Sequence, residues 1–417
     1  MLALLRALMA SLLALLTGFG LMQAGNTLQG TLLSVRGSDE GFSHIAIGAV
    51  GAAFWAGIVL GSLLGGRLIR RVGHIRAFAA LGAVASTVPL IHLLVIDPIA
   101  WVFARALTGF CFAGLFMVVE SWINGCATAQ TRGRLLSVYG MTGLVAGVGG
   151  QLLLAGGNPD GFQGFCIVSI IIAVALVPIA VTHTVPPGDV GDDARIGPIA
   201  LYRKSPFGAV IALLCGMSTG AFFALGPVYA KQRGLDTGGI AVFMACATLG
   251  GFLLAWPLGT LSDHLDRRIV VITAAVAAVA SLLAIIAVVP TDASRTTDYL
   301  SVALFGGTVI PTYSIVQAQV NDAVGKGQFV AASGSLLLVS GVGSVVGPLI
   351  GGIAMSRWQY GLEFMLVATQ TIIATWGLYR VVREAPHERK GAFRVGPPVP
   401  VATHVWNLAH WERTSPA

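Results

Sequence analysis

The sequence predicts an all-α integral membrane protein in which twelve transmembrane helices form two six-helix pseudo-repeats. Of its 417 residues, 55% are hydrophobic and 10% are charged, whereas soluble proteins carry about 25% charged residues. Many apolar stretches also reach about 20 residues, the length that a helix needs to cross a bilayer. This composition excludes a cytosolic enzyme and an ordinary nucleic-acid-binding protein, although the net charge is +7.

Twelve apolar segments follow one another along the chain, separated by short polar breaks. The first follows Arg6, but its apolar run is longer than the roughly 7 to 15 residues of a signal-peptide core, so we expect an uncleaved first span. The twelve segments are roughly Ala7–Val35, Ile45–Ile69, Ala77–Ile96, Ile99–Ile123, Leu135–Ala155, Gly164–Val181, Phe207–Ala230, Gly239–Leu261, Ile269–Val289, Leu300–Val320, Phe329–Met355 and Leu362–Tyr379.

The basic residues predict the orientation of these spans. Of the 25 Lys and Arg residues, 19 fall at the termini or in the loops on the same side as the termini, and five fall on the other side. Only Arg105 lies inside a span. Because basic residues favour the cytoplasmic side, we expect an inner-membrane protein with both termini cytoplasmic. Anionic membrane lipids are then natural partners of this side.

The longest break between spans, residues 182–206, divides the chain into two halves. We expect a six-helix bundle at 1–181, a cytoplasmic linker at 182–206, a second bundle at 207–380 and a cytoplasmic tail at 381–417. Gly66 and Gly259 occupy equivalent loops at an offset of 193 residues, and Asn124 and Asn321 end equivalent spans at an offset of 197. Such repetition predicts a duplicated unit with a site near the midplane between the halves.

Three motifs in the sequence resemble those of one protein family. Residues 259–268 resemble the major facilitator superfamily loop signature G-x-L-x-D-x-x-(G/D)-R-(R/K), while the first-half counterpart has Arg70 where the acid is expected. Arg105, Gly109 and Ala113 resemble the family's R-x-x-x-G-x-x-x-A element. Residues 347–352 resemble its G-P-x-x-G-G element, which antiporter members carry in span five and this chain carries in span eleven. Residues 120–124 and 132–135 further resemble the uncharacterised YcaD-type branch.

The resemblance implies a secondary active transporter that moves a small molecule by alternating access. We expect export, with protons considered as the coupling ion; uptake by a symporter or uniporter is the alternative. A non-transporting membrane sensor and a membrane-embedded enzyme are the alternatives from other classes. The sequence contains no P-loop and no cluster of His, Asp or Ser, so it does not favour an enzyme. We expect a monomer with no cofactor, no metal and no nucleic-acid partner.

Polar and aromatic residues within spans are the candidates for the substrate cavity. Gln23, Asn26 and Gln29 follow one another at intervals of three residues, which places them on one face of span one. Amides that face lipid are costly, so this stripe either lines a cavity or bonds to another helix. Tyr313 and Gln317 in span ten leave the same two alternatives open. The remaining expected cavity residues are the aromatic Phe222, Phe223 and Tyr229.

Charged residues are the candidates for coupling or gating. Asp263 in the loop signature is expected near the start of span five, where it acts as a latch or as a static ion pair; Arg267 and Arg268 belong to the same signature. Glu120 is expected to pair with a nearby arginine or to carry a proton. Arg105 either faces the cavity or a polar partner, or extends its side chain to the headgroups.

Overall fold

The computed structural model describes residues 2–126, 131–157, 161–180, 197–288, 295–324 and 328–383. Within these ranges the chain is helical, and a 3-10 turn at Leu154–Gly156 extends the fifth helix. The helices are α1 Leu2–Asp39, α2 His44–Val72, α3 His74–Leu94, α4 Pro98–Cys126, α5 Arg132–Leu153, α6 Gln163–Ala180, α7 Pro198–Lys204, α8 Pro206–Gln232, α9 Thr237–His264, α10 Arg267–Ala287, α11 Arg295–Ala323, α12 Phe329–Arg357 and α13 Gly361–Arg383.

Twelve of these helices correspond to the twelve predicted spans. Ten are long and apolar enough to cross a membrane, and a shorter apolar helix covers Gln163–Pro178. The first predicted span lies inside α1, which is 38 residues long. The predicted all-α membrane fold is therefore confirmed. The additional short helix α7 lies inside the segment predicted as a linker, whose residues 182–196 are outside the described residues, as is the tail from 384 onwards.

Several helices begin at a side chain that accepts a hydrogen bond from a free backbone N–H of the first turn. Ser43 accepts from Ala46 N at the start of α2. Asp236 does the same for α9 and Asp266 for α10. Between α2 and α3 the chain turns at Gly73, whose φ of 87° disfavours residues with a side chain. The apolar runs end at these polar turns, within a few residues of the span boundaries that the sequence predicts.

The two halves repeat the same helix pairings. In the first half α1 packs on α5 and α6, α2 on α4, and α3 on α4 and α6. In the second half α8 packs on α12 and α13, α9 on α11, and α10 on α11 and α13. Each of these five first-half pairings thus has its counterpart in the second half. The architecture is two six-helix pseudo-repeats, as the sequence predicts.

Glycines at equivalent positions bring the paired helices close together. In the first half, a Cβ at Gly57 of α2 would overlap the carbonyl oxygen of Ala106 on α4. In the second half, a Cβ at Gly250 of α9 would overlap the carbonyl oxygen of Ala303 on α11. Gly57 and Gly250 differ by 193 residues, the offset already found in the loops. Small residues at helix contacts provide close packing in membranes, so the duplication extends to the packing itself.

The halves contact each other mainly through α2 with α12 and α5 with α9, and also through α1 and α2 with α8. We call the end of the bundle where α1 stops and α2 starts the distal end; α1 begins and α13 ends towards the opposite end. At the distal end, Lys231 forms an ion pair with Asp39, and Gln232 lies 2.9 Å from His44. Ser34 donates to the carbonyl oxygen of Ala224 at 2.8 Å. These contacts hold the distal ends of the halves together.

Candidate functional site

A cavity of about 190 Å³ lies between the two halves. Its wall comes from α1, α2, α4 and α5 of the first half and from the equivalent helices α8, α9, α11 and α12 of the second. Aromatic residues contribute much of the apolar wall: Phe42, Phe54, Trp55, Trp101, Phe223 and Tyr313. The cavity therefore lies where the duplication of the chain predicts a site, between the repeats.

Arg105 is the single charged side chain among the described residues that line this cavity. Its Nη1 donates to Gln29 Oε1 at 3.1 Å, and its guanidinium carbon lies 4.3 Å from the centre of the Phe54 ring. The side chain is 6% exposed. A Cβ at Gly30, another lining residue, would lie 3.3 Å from Arg105 Nη2. The guanidinium is thus directed into the protein, with a glycine leaving space beside it.

The amide stripe of α1 is divided between the cavity and Arg105. Gln23 and Asn26 line the cavity, and their side-chain oxygens have no hydrogen-bond partner among the described residues. Gln29 lies outside the cavity lining, where it accepts the hydrogen bond from Arg105. Both alternatives considered for this stripe therefore occur, two amides on the cavity and one bonded to another helix.

Of the residues of the second half that we expected in the cavity, some line it and others pack elsewhere. Tyr313 lines the cavity. Phe222 and Tyr229 lie outside its lining, in an aromatic cluster with Phe243, whose ring centre is 6.3 Å from that of Phe222 and 6.2 Å from that of Tyr229. Phe223, also expected in the cavity and beside Phe222 in the chain, does line it. The face of α8 that carries Phe222 and Tyr229 packs within the second half. Aromatic character alone therefore does not identify the face of a helix that lines the cavity.

Gln317 is the second-half equivalent of Glu120, at the offset of 197 residues, and both lie outside the cavity lining. Gln317 Nε2 lies 3.3 Å from Ser333 Oγ and connects α11 to α12. The fully buried Glu120 accepts a hydrogen bond from Tyr139 Oη at 3.1 Å and connects α4 to α5. Sequence reasoning considered only arginine partners for Glu120 and missed the tyrosine on the neighbouring helix.

The arginines of the loop signature are buried in ion pairs within the second half. Arg267 Nε donates to Asp322 Oδ2 at 2.9 Å, and Asp263 lies 3.4 Å from the same guanidinium. Arg268 pairs with Asp266 at 2.7 Å. The side chains of both arginines are 2% exposed. The expected contact of Asp263 with the start of α5 involves Arg134, whose side chain is outside the described residues, so the latch stays a prediction.

The G-P-x-x-G-G element of α12 lies at the distal end, between the halves. A Cβ at Gly48 of α2 would overlap the carbonyl oxygen of Pro348. A Cβ at Gly352 would come 2.6 Å from the carbonyl oxygen of His44. In the other direction the element packs on its own half, because a Cβ at Gly347 would overlap the carbonyl oxygen of Met217. The sequence indicated the motif but not this contact between halves.

Comparison with known proteins agrees with this arrangement. The Major Facilitator Superfamily model matches residues 15–341. An uncharacterised MFS-type transporter of Enterobacter sp. (strain 638) is 28% identical over 379 residues, which cover 90% of this chain and 96% of the relative. The uncharacterised MFS-type transporter YcaD of Escherichia coli O45:K1 is 26% identical over the same coverage.

A solved structure has the same fold. The nucleoside transporter NupG superposes with a TM-score of 0.75 at 12% identity, over 89% of this chain and 98% of NupG. At this identity the likeness concerns the fold alone. The family match and the two relatives confirm the resemblance found in the motifs, including that to the YcaD-type branch. The chain is a multi-pass membrane protein and belongs to the Major Facilitator Superfamily, a family of secondary transporters and not of enzymes.

Proposed function

We propose that this transporter carries one small molecule at a time through the cavity between its halves, by alternating access. The observation that carries the proposal is the cavity wall, to which four helices of each half contribute. Because the wall is shared, a rotation of one half against the other changes the access to the cavity without breaking the pairings inside either half. The contacts at the distal end would have to separate in each cycle.

The cavity favours a polar molecule that carries at most one negative charge beside an apolar body. Arg105 supplies one positive charge, while the unpartnered oxygens of Gln23 and Asn26 can accept hydrogen bonds. Aromatic rings form much of the remaining wall. A hydrogen bond to a charged group contributes about 1.5 to 3 kcal/mol, so an acidic group placed at Arg105 would supply a substantial part of the binding free energy.

Export driven by proton exchange is the direction that we propose, with uptake by a symporter or uniporter as the alternative. One elementary charge that crosses 100 mV supplies about 2.3 kcal/mol. This corresponds to a gradient of roughly 40-fold at 1.4 kcal/mol per factor of ten. Proton coupling is thus sufficient to drive export, and flux assays in the two directions distinguish the alternatives.

The excess of basic residues on the termini side supports an inner-membrane orientation with both termini in the cytoplasm. The distal end then faces the periplasm, and the boundaries 1–181 and 207–380 separate the two bundles of a monomer. A cytoplasmic reporter fused after Ala417 should be active, and one inserted at Asp160 should be inactive. The opposite pattern would refute this orientation.

A ligand screen on the purified protein provides the test of function. Thermal stability should rise with a subset of a metabolite and drug library, and the compounds found should cross proteoliposome membranes when a pH gradient is imposed. Arg105→Gln should weaken binding of an acidic substrate about 10- to 150-fold, because it removes the charge-assisted hydrogen bond.

Arg36→Gln is the matched control, because Arg36 lies near the distal end of α1, outside the cavity lining, in an ion pair with Glu40. It should bind substrate as the wild type does. Equal affinities in Arg105→Gln and wild type would argue against a substrate site at Arg105. Absence of flux with every bound compound would argue against transport.

A further inference from the structure

We propose that the carboxyl group of Glu363 is a proton-binding site in the second half, and that its protonation controls whether the distal ends of the two halves stay together. This inference extends the proposed function, because it assigns the coupling proton to a named group. The site lies outside the substrate cavity, where α8, α11 and α13 meet near the distal end. None of the sequence motifs includes it.

Glu363 is buried, and its carboxyl makes no hydrogen bond of good geometry within the described part of the chain. Its side chain is in the first turn of α13 and is 1% exposed, and neither carboxyl oxygen has a partner among the described residues. The hydroxyl of Tyr229 on α8 lies beside the carboxyl and interacts with it, yet this hydroxyl is also left without a partner in hydrogen-bond geometry. A carboxylate without well-formed hydrogen bonds is costly to bury. The Tyr229 hydroxyl can donate to the ionised carboxylate or accept the proton of the neutral acid.

The charges around Glu363 leave one negative charge in excess. Arg233, which follows α8, forms an ion pair with Asp298 of α11 at 2.6 Å, and both side chains are at most 5% exposed. Arg233 also donates to the carbonyl oxygen of Val288 at 3.1 Å, beyond the end of α10. With one arginine already paired to one aspartate, Glu363 adds a second carboxylate. One proton neutralises the cluster.

The remaining elements packed on α13 do not supply a second counter-ion. α10 carries no titratable side chain near its distal end, and the charged residue of α12 at this end, Arg357, is exposed. The other titratable groups of this region are Asp236 at the start of α9, Cys246 of α9, Arg295 and Tyr299 of α11, and Tyr360 just before α13. Arg295 is exposed, and its charge is opposite to that of Asp236. The described residues contain no cluster of three or more metal-binding side chains, which favours a proton over a metal ion.

The site is connected to the contact between the halves through the end of α8. Tyr229 and Arg233 belong to the cluster, and between them in the chain lie Lys231 and Gln232, which contact Asp39 and His44 of the first half. A movement of this segment therefore affects both the carboxyl and the distal contact. When the distal ends separate, water can reach Glu363 and the proton can leave as the carboxylate forms.

The direction of the coupling follows from the cost of burial. In the closed arrangement the carboxyl is dry, so the neutral acid stabilises closure, and ionisation stabilises the open arrangement in which water solvates the charge. The amino end of α13, the Tyr229 hydroxyl and Arg233 favour the ionised form and oppose the effect of burial. A small change in hydration can then shift the balance. Low pH should favour closure of the distal end and high pH its opening.

Infrared difference spectroscopy on the purified full-length protein tests the site without any substrate. A pH titration of the wild type should show the carbonyl band of a buried carboxylic acid, and Glu363→Gln should lose it. Glu40→Gln, which changes a partly exposed carboxyl at the same end, should keep it. Tyr229→Phe should shift the band, because the acid loses its neighbouring hydroxyl. A band that is unchanged in Glu363→Gln and in Tyr229→Phe would overturn the proposal.

Distance measurements test the coupling to the distal end. Spin labels at Ser38→Cys on α1 and Ser356→Cys on α12, with the native cysteines replaced, should move apart as the pH rises. In Glu363→Gln they should remain close at every pH, because glutamine imitates the neutral acid. A pH response equal to that of the wild type would overturn the inference.

The outcome for transport is separable from the outcome for the site. If the band and the distances behave as expected but no solute moves with a pH gradient, the site stands and proton-driven transport fails. If a pH gradient drives equal flux in wild type and Glu363→Gln, transport stands and this assignment of the coupling proton is wrong.

Discussion

Closure of the distal end requires α2 and α12 to approach closely at Gly48. A Cβ at this position would overlap the carbonyl oxygen of Pro348 in the other half, and overpacking of this kind costs about 1 to 3 kcal/mol. The contact exists only while the distal ends are together, so Gly48→Ala destabilises the closed arrangement alone. The ratio of open to closed molecules should therefore rise about 5- to 150-fold.

Cys215 reports this change, because it lines the cavity and is only 2% exposed. A membrane-impermeant thiol reagent added on the distal side should label Cys215 faster in Gly48→Ala than in wild type. The rate should increase by the same factor for as long as the open arrangement is the minority. Mass spectrometry of the labelled peptide separates Cys215 from the other four cysteines.

Gly149→Ala is the matched control, since a Cβ at Gly149 of α5 would meet no atom within 4 Å. It should be labelled at the wild-type rate. If Gly48→Ala is folded, as judged by circular dichroism and size-exclusion chromatography, and is labelled no faster than Gly149→Ala, the distal contact does not control access and the reasoning is refuted.

Three stability predictions follow from contacts inside the halves, each measured as a free energy of unfolding in detergent. Gly57→Ala should lose about 1 to 3 kcal/mol through overlap with the adjacent helix, whereas Gly149→Ala should lose none; equal values would contradict the close packing of α2 on α4. Asp322→Asn should lose about 3 to 5 kcal/mol because it removes the buried carboxylate partner of Arg267, and the partly exposed Asp263→Asn should lose less than about 1 kcal/mol; a reversed order would contradict the assignment of the buried pair. Tyr139→Phe should lose about 1 kcal/mol with its hydrogen bond to a buried carboxyl, and an unchanged stability would show that this bond contributes nothing.

The number, order and duplication of the helices could be predicted because they depend on local properties of the sequence. A run of about 20 apolar residues must be helical in a membrane to satisfy its backbone hydrogen bonds. The offset of 193 residues, found from Gly66 and Gly259 in the loops, also relates Gly57 to Gly250 at the helix contacts. Helix α7 was not predicted, since seven residues in a polar segment give no clear periodic pattern.

The residues of the candidate site were only partly predictable, because a helix in the bundle has neighbours on several sides. Periodicity places Gln23, Asn26 and Gln29 on one face, but it does not show that the last of them contacts Arg105. Tyr229 and Tyr313 look alike in sequence, yet one packs inside its half and the other lines the cavity. The ion pair of Arg267 with Asp322 joins residues that are 55 positions apart in the sequence. No local sequence pattern extends over that separation.

A cavity with one fixed positive charge has an electrical consequence. When an acidic substrate occupies the site opposite Arg105, the loaded cavity is neutral, and when the substrate leaves, the empty cavity carries a full positive charge. The membrane voltage, at about 2.3 kcal/mol per charge for each 100 mV, then acts on the return of the substrate-free carrier and leaves the substrate-loaded step almost untouched. Turnover of such a substrate would depend on voltage through the step in which no substrate is carried.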